Sequence, residues 1–430
     1  MTAWLAVAVF VVAYVLIATE RVHRVASALG GAVVMLVIGA TDAETAFFSE
    51  EAGIDWNVIF LLLGMMLIVA VVQRTGLFEF LAIWASKRAR GQPFRVMVIL
   101  VLVTAVASAV LDNVTTVLLV APVTFLVCER LAVPVVPFLI AEAMASNIGG
   151  TATLVGDPPN IIIASRAGLS YVDFLVHLAP LVVVLMAVFV GLCRWLFRDA
   201  FRHDPQRSDS VMALREQDAI RDRRLLVVSL VVLTAVTAAF VLHTVLHLEP
   251  SVVAIVGGLV LLAASRLDAG EVARDVEWPT LVFFAGLFVM VGSLVHTGVI
   301  SLVASAAVEA TEGRLALATF VLLWGSAVLS AIVDNIPYVA TMSPVVAELV
   351  EANGGNDRAQ VLWWSLALGA DLGGNATAIG ASANVVVVGL AQRAGKHISF
   401  WEFTRYGLIV TVITVALCMP YLWLRYFVLA

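Results

Sequence analysis

Two polar motifs sit inside apolar stretches of this chain, and each is written twice. Ser108-Ala-Val-Leu-Asp112-Asn113-Val-Thr115-Thr116 returns 222 residues later as Ser330-Ala-Ile-Val-Asp334-Asn335-Ile-Pro-Tyr338. Asn147-Ile-Gly-Gly-Thr151-Ala-Thr153-Leu-Val-Gly-Asp157-Pro-Pro-Asn160 returns 224 residues later as Asp371-Leu-Gly-Gly-Asn375-Ala-Thr377-Ala-Ile-Gly-Ala-Ser382-Ala-Asn384. An unpaired polar group in hydrocarbon is costly, so carboxylates and amides kept there in both halves point to a transport site.

The 430 residues are 62% hydrophobic and only 13% charged, against about 45–50% and about 25% in soluble domains. The chain is therefore a polytopic membrane protein. Its first apolar segment has neither a basic leader nor a small-residue cleavage site and reads as an uncleaved span. The net charge of −6 is confined to loops and says little about partners, and nothing supports nucleic-acid binding. Cys128, Cys193 and Cys418 are scattered, without metal or disulfide spacing, and read as packing residues. No phosphate-binding glycine loop and no nucleophile–base or metal constellation is present, so the sequence does not read as an enzyme and implies no cofactor beyond a coupling ion.

Stretches able to cross roughly 30 Å of hydrocarbon fall at 3–18, 25–40, 56–73, 138–164, 174–197, 225–247, 250–265, 278–295, 361–389 and 407–425. Two more, 96–127 and 315–347, carry Asp-Asn at their centres and read as re-entrant hairpins. With both termini outside, the inner loops collect most Lys and Arg, as positive-inside orientation requires, although Arg266 to Glu277 holds more acid than base. The predicted organisation is a first repeat, 1–197, a cytoplasmic linker, 198–224, and a second repeat, 225–430. Trp56, Gly64, Val69, Thr75 and Gly76 match Trp278, Gly286, Val291, Thr297 and Gly298 at the same offset of 222, which extends the repeat beyond its motifs. Five spans per half is odd, so the halves are expected to insert upside down relative to each other.

The expected fold is thus an all-α polytopic membrane protein of two inverted-topology repeats, each with one hairpin and one broken helix (138–164 and 361–389). The hairpin tips should meet near the midplane. A broken helix exposes N–H groups at one end and carbonyls at the other. The amides and hydroxyls of Asn113, Thr115, Thr116, Asn147, Thr151, Asn160, Asn335, Asn375, Thr377, Ser382 and Asn384 are candidates to complete a solute site. Asp112, Asp157, Asp334 and Asp371 are candidates to couple it, because a carboxylate taken out of water either carries a proton or holds a cation such as sodium. The competing reading is that the Asp residues cap their own helices. Glu142 could join a proton path, His177 and His296 fall near membrane ends, and Leu77 to Arg90 reads as a surface helix on the inner leaflet.

At these four segments the chain resembles the ion transporter superfamily, and within it the permeases grouping arsenite efflux pumps, NhaD-type sodium/proton antiporters and the melanosomal P protein. The matching runs are Leu111-Asp-Asn-Val-Thr-Thr-Val-Leu-Leu, Asn147 to Asn160, Asp334-Asn-Ile-Pro and Leu372 to Asn384. More distantly it is similar to sodium-coupled dicarboxylate and citrate symporters, whose tips carry Ser-Asn-Thr where this chain has Asp112-Asn113-Val114 and Asp334-Asn335-Ile336. The resemblance implies a secondary transporter of the inner membrane working by alternating access. Its expected substrate is arsenite or antimonite, exported with protons or membrane potential; the alternatives are a sodium/proton antiporter and an anion carrier of the dicarboxylate or citrate type. Added charge at both tips disfavours an anion. The expected partners are a small inorganic solute or ion and the lipid bilayer; a homodimer and a soluble ATPase subunit on the linker are both compatible with the sequence.

Overall fold

A computed structural model describes residues 2–19, 21–201 and 215–429. Most of the predicted linker, 202–214, lies outside the described residues. The fold is helical throughout, with no strand among the described residues.

The first half contains α1 (Thr2–Thr19), α2 (Arg24–Val37), a short α3 (Ala43–Phe48), α4 (Trp56–Gln73), α5 (Leu77–Arg88), α6 (Pro93–Val110), α7 (Asn113–Leu131), α8 (Val136–Gly150), α9 (Pro158–Ala167), α10 (Tyr171–His177) and α11 (Ala179–Leu196). The second half contains α12 (Arg223–Leu246), α13 (Pro250–Ser265), α14 (Ala269–Asp275), α15 (Trp278–His296), α16 (Val299–Ala310), α17 (Leu315–Ile332), α18 (Asn335–Ala352), α19 (Val361–Gly373), α20 (Ser382–Arg393) and α21 (Phe400–Trp423). Nine helices among the described residues are long and apolar enough to span a membrane. Their exposed faces, such as Val11 and Val12 of α1 and Val231 and Val245 of α12, are apolar and suit lipid rather than water.

Repeated sequence gives repeated structure. Gly76 and Gly298, equivalent at offset 222, both adopt positive φ (79° and 74°) just before α5 and α16. That backbone region disfavours a side chain. The helix α16 was not anticipated; its charge-poor sequence hides it, whereas basic α5 was read as a surface helix. Beyond that reading, α5 buries Phe78 and Ile83 and is tied to the linker by Arg221–Glu79 (2.8 Å) and Lys87–Glu216 (2.5 Å). Lys87 holds the Glu216 carboxyl below its ordinary range.

The halves pack reciprocally. Helix α4 lies against α13, and its repeat partner α15 lies against α2. At the closest points a Cβ on Gly64 would fall 2.3 Å from the Ala254 backbone, and one on Gly286 would fall 2.9 Å from the Ala28 backbone. Likewise α7 packs against α20 while its equivalent α18 packs against α9. Contacts of this kind, in which i meets j and j meets i, describe a two-fold relation within one chain.

At both places read as hairpins the chain turns back on itself, with longer limbs than the 96–127 and 315–347 of the sequence reading; α6, α7 and α17 are each among the helices long and apolar enough to span a membrane. The backbone of Ala105 abuts Gly149, and Ala109 accepts a hydrogen bond from Thr153, so α6 runs alongside α8 in the same direction. Helix α7 then returns, Asn113 meeting Asn147 and Thr124 meeting Glu142. The predicted broken helices also appear. The first is interrupted between Gly150 and Pro158, and the second between Gly373 and Ser382 around a 3-10 turn at Gly374–Ala376.

Candidate functional site

The hairpin tips are built by capping. Asp112 precedes α7 and accepts the Thr115 N–H at 2.7 Å; Asp334 precedes α18 and accepts the Ile336 N–H at 3.1 Å. Each carboxylate thereby satisfies one of the orphan donors of a helix N-terminus. Asp334 also accepts from the Ser382 hydroxyl.

The residues one step further in do something different. Asn113 Nδ2 donates to Asp157 Oδ2 at 2.8 Å and to Asn147 Oδ1 at 3.2 Å. Asn335 Nδ2 reaches the same Asp157, at 3.3 Å from Oδ1 and 3.4 Å from Oδ2. Asp157 is 0% exposed, and no cationic side chain pairs with it among the described residues.

The broken segments interlock across the two-fold. Asn147 Nδ2 donates to Asn375 Oδ1 (3.0 Å) and Asn384 Oδ1 (3.2 Å). Asp371, which holds the position equivalent to Asn147, faces Thr151 and Asn160, the equivalents of Asn375 and Asn384. Within each break the same clasp recurs. Asn160 Nδ2 donates to the carbonyls of Gly150 and Thr153, and Asn384 Nδ2 donates to those of Gly374 and Thr377. Thr153 and Thr377 bind the Ala109 and Ala331 carbonyls at 2.6 Å, and Ser108 and Ser330 bind those of Ser146 and Ala370. For the acids of this centre the two-fold fails twice: Ala381 stands where the first half has Asp157, and Asn147 stands where the second half has Asp371.

Several atoms in this sealed centre lack a hydrogen-bond partner among the described residues. They include both carboxylate oxygens of Asp371, whose neighbours Thr151 and Asn160 spend their donors on backbone carbonyls, together with Asn113 Oδ1 and Asn375 Nδ2.

Beside the centre opens a cavity of about 530 Å³. Arg24, Asp112, Thr115, Glu277, Asp334 and Ser382 line it, over apolar walls that include Met65, Ile161 and Phe283. Arg24 donates to the hydroxyls of Ser382 (3.3 Å) and Thr280 (3.4 Å), and its guanidinium lies 5.7 Å from the Phe283 ring centroid. Glu277, just before α15, accepts from Thr280 at 3.1 Å; burial pushes its carboxyl above the ordinary range and Asp112 adds to that, against Thr280 and Arg24. Two further cavities of about 550 Å³ each lie beyond this one, the first around His243 and the second around Arg166. Helix α4 passes from Asn57 in both of these to Met66 in the Arg24 cavity. Its repeat partner α15 runs the other way, from Pro279 in the Arg24 cavity to Gly292 in the Arg166 cavity.

The candidate residues thus divide. Asn113, Asn147, Thr151, Asp157, Asn160, Asn335, Asp371, Asn375 and Asn384 form the sealed centre, while Asp112, Thr115, Asp334 and Ser382 line the cavity. Thr377 is occupied by backbone, and Thr116 is buried in α7 without a hydrogen-bond partner among the described residues. Glu142 lies apart, accepting from Thr124; His177 stacks on Trp364 and bonds Tyr426. Arg24, Glu277 and Thr280 were not anticipated. In sequence they are ordinary loop and helix-start residues, and only the fold carries Arg24 to Ser382, 358 positions away.

Comparison with known proteins agrees with this architecture. The chain is 57% identical over 424 residues to a Mycobacterium tuberculosis protein named as an uncharacterized transporter, with 99% of each chain covered. It is 54% identical over 426 residues to a 46 kDa membrane protein of Mycobacterium leprae. It is 33% identical over 501 residues to the P protein of Mus musculus, covering 98% of this chain and 60% of that protein. Its fold is similar to that of the YdaH transporter of Alcanivorax borkumensis, with a TM-score of 0.64 and 14% identity over 92% of this chain and 88% of that one. Residues 14–369 match the model of the CitMHS family, described as citrate transporter. This multi-pass membrane transporter therefore belongs to the citrate transporter (CitMHS) family of the ion transporter superfamily.

Proposed function

We propose that the chain is a secondary transporter in which a proton or sodium ion taken up at the Asp157–Asp371 centre drives a small solute through the Arg24 cavity. The observation that carries this reading is Asp157, held by Asn113 and Asn335 from the two hairpin tips. A bare carboxylate buried without a cationic partner is strongly unfavourable. Asp157 and Asp371 therefore hold a proton or a cation when occluded, and releasing it requires the tips to separate. The opposite senses of α4 and α15 support two inverted halves that exchange access around this centre. The Arg24 cavity then faces the cytoplasm, in keeping with the basic loops on that side.

For the solute, Arg24 favours a small carboxylate anion of the citrate type, because a guanidinium matches carboxylate geometry in a fork. Asp112 and Asp334 weigh against an anion less than their sequence suggests, since both are engaged by helix N-termini and Arg24 lies near Asp334. Uncharged arsenic or antimony trihydroxide is the competing solute, with hydroxyls for Asn and Thr partners.

The test is gradient-driven uptake by purified protein in liposomes, comparing labelled citrate with arsenite under imposed pH or sodium gradients. Citrate should accumulate with one of the gradients. Asp157→Asn should abolish accumulation while leaving solute exchange down its own gradient. Full accumulation by Asp157→Asn would overturn the coupling role.

A further inference from the structure

Neighbouring residues in two segments face different cavities. On α4, Leu61 lines the His243 cavity and Leu62 the Arg24 cavity. In the break before α9, Leu154 lines the first and Val155 the second. Ile161 lines both. All five side chains are buried, none more than 4% exposed. The two cavities therefore stand end to end in the groove between α4 and α9, divided by a single layer of apolar side chains. Ile161 follows Asn160, whose amide clasps the break, so any shift of the break carries Ile161 with it.

The His243 cavity has its own polar groups. His243 and His247 stand one turn apart at the end of α12, His247 in a left-handed C-cap, and Glu249 follows. Ser251 donates to Asn57 Oδ1 at 2.9 Å across the cavity wall. His243 Nε2 is buried and has no hydrogen-bond partner among the described residues.

We propose that the His243 cavity is a second binding station on the solute's route, in which the two imidazoles receive the same small carboxylate anion, and that Ile161 is the barrier between the stations. The proposal rests on the transport reading above. An apolar plug one side chain thick excludes water and ions when closed. Movement of α9 relative to α4 joins the two cavities, and the anion passes from Arg24 to the imidazoles without entering lipid. The functional centre at Asp157 lies off this line, so the path and the coupling site are separate parts.

The experiment uses full-length protein in liposomes. With no solute present, a membrane potential is imposed with potassium and valinomycin, and an internal pH dye reports proton entry. Ile161→Gly should leak at least about tenfold faster than wild type, since removing the plug lets water connect the cavities. Val385→Gly, which widens the Arg24 cavity alone, should stay tight. Ile161→Trp should keep the thermal stabilisation given by citrate but lose citrate exchange. His243→Ala combined with His247→Ala should raise several-fold the citrate concentration needed for half-maximal exchange from the His243 side only. A tight Ile161→Gly together with normal exchange by Ile161→Trp would overturn the barrier, and if Ile161→Gly does not fold, normal exchange by Ile161→Trp does so alone. An unchanged double histidine variant would overturn the second station. Because the leak assay contains no solute, a wrong assignment of the solute leaves its result intact.

Discussion

Asn113 and Asn335, which end two hairpins 222 residues apart in sequence, donate to one and the same carboxylate, that of Asp157. Neither asparagine bonds its own repeat equivalent. The shared acceptor joins the halves.

Removing either donor leaves Asp157 short of a partner. Asn113→Ala and Asn335→Ala should each lower stability by about 1–3 kcal/mol. Because both act on one acceptor, the double variant should depart from the sum of the singles by more than the ~0.5 kcal/mol seen for independent sites. Unfolding of the four proteins in detergent measures this; simple additivity would show that the two bonds are independent.

Close helix packing gives a second prediction. Gly64→Ala and Gly286→Ala press a methyl into the Ala254 and Ala28 backbones and should each cost about 1–3 kcal/mol. Gly325→Ala, with open space around its Cβ position, should be neutral or slightly stabilising through better helix propensity. Thermal midpoints of the three variants test the reciprocal contact directly.

The third concerns pH. Glu277 has its carboxyl raised above the ordinary value of 4.5. In the unfolded chain it ionises first, so as pH rises from 4.5 towards its folded value the fold loses stability at this site, and the loss is then constant. Glu277→Gln should therefore gain stability relative to wild type as pH increases above 4.5, levelling off once the folded carboxyl has ionised. A difference independent of pH would place Glu277 in water.

The fourth bears on the solute. Hydrogen bonds to charged groups contribute about 1.5–3 kcal/mol, so Arg24→Gln should raise KM for a carboxylate solute by about 10- to 100-fold. Arsenite exchange, if it occurs, should be nearly unaffected. Equal effects on both would mean that Arg24 shapes the cavity rather than reading charge.

Much of this arrangement is legible in the residues themselves. Asp-Asn inside an apolar run and Gly-Gly before a second Gly allow few structures in a bilayer, so both hairpins and both broken helices are readable without coordinates. The duplication adds their pairing. What the chain does not disclose is which acids cap helices and which face amides: Asp112, Asp157, Asp334 and Asp371 look alike in sequence, and only packing separates the two kinds. Arg24 escaped for the same reason, since its partners Ser382 and Thr280 are remote and its neighbours Arg21 and His23 resemble an ordinary basic loop. Helix α16 was hidden because propensity there is weak and its packing against α18 decides its form.

Both acids of the sealed centre break the two-fold, Ala381 standing in the place of Asp157 and Asn147 in the place of Asp371, and this has an energetic meaning. Were the duplicated units identical, swapping their conformations would give mirror arrangements of equal free energy, and the molecule would rest as readily open to one compartment as to the other. Two acids without acidic counterparts lift that degeneracy. If these acids carry the coupling ion as proposed, its load weighs unequally on the two arrangements, and the ion gradient then sets the direction in which the empty carrier waits.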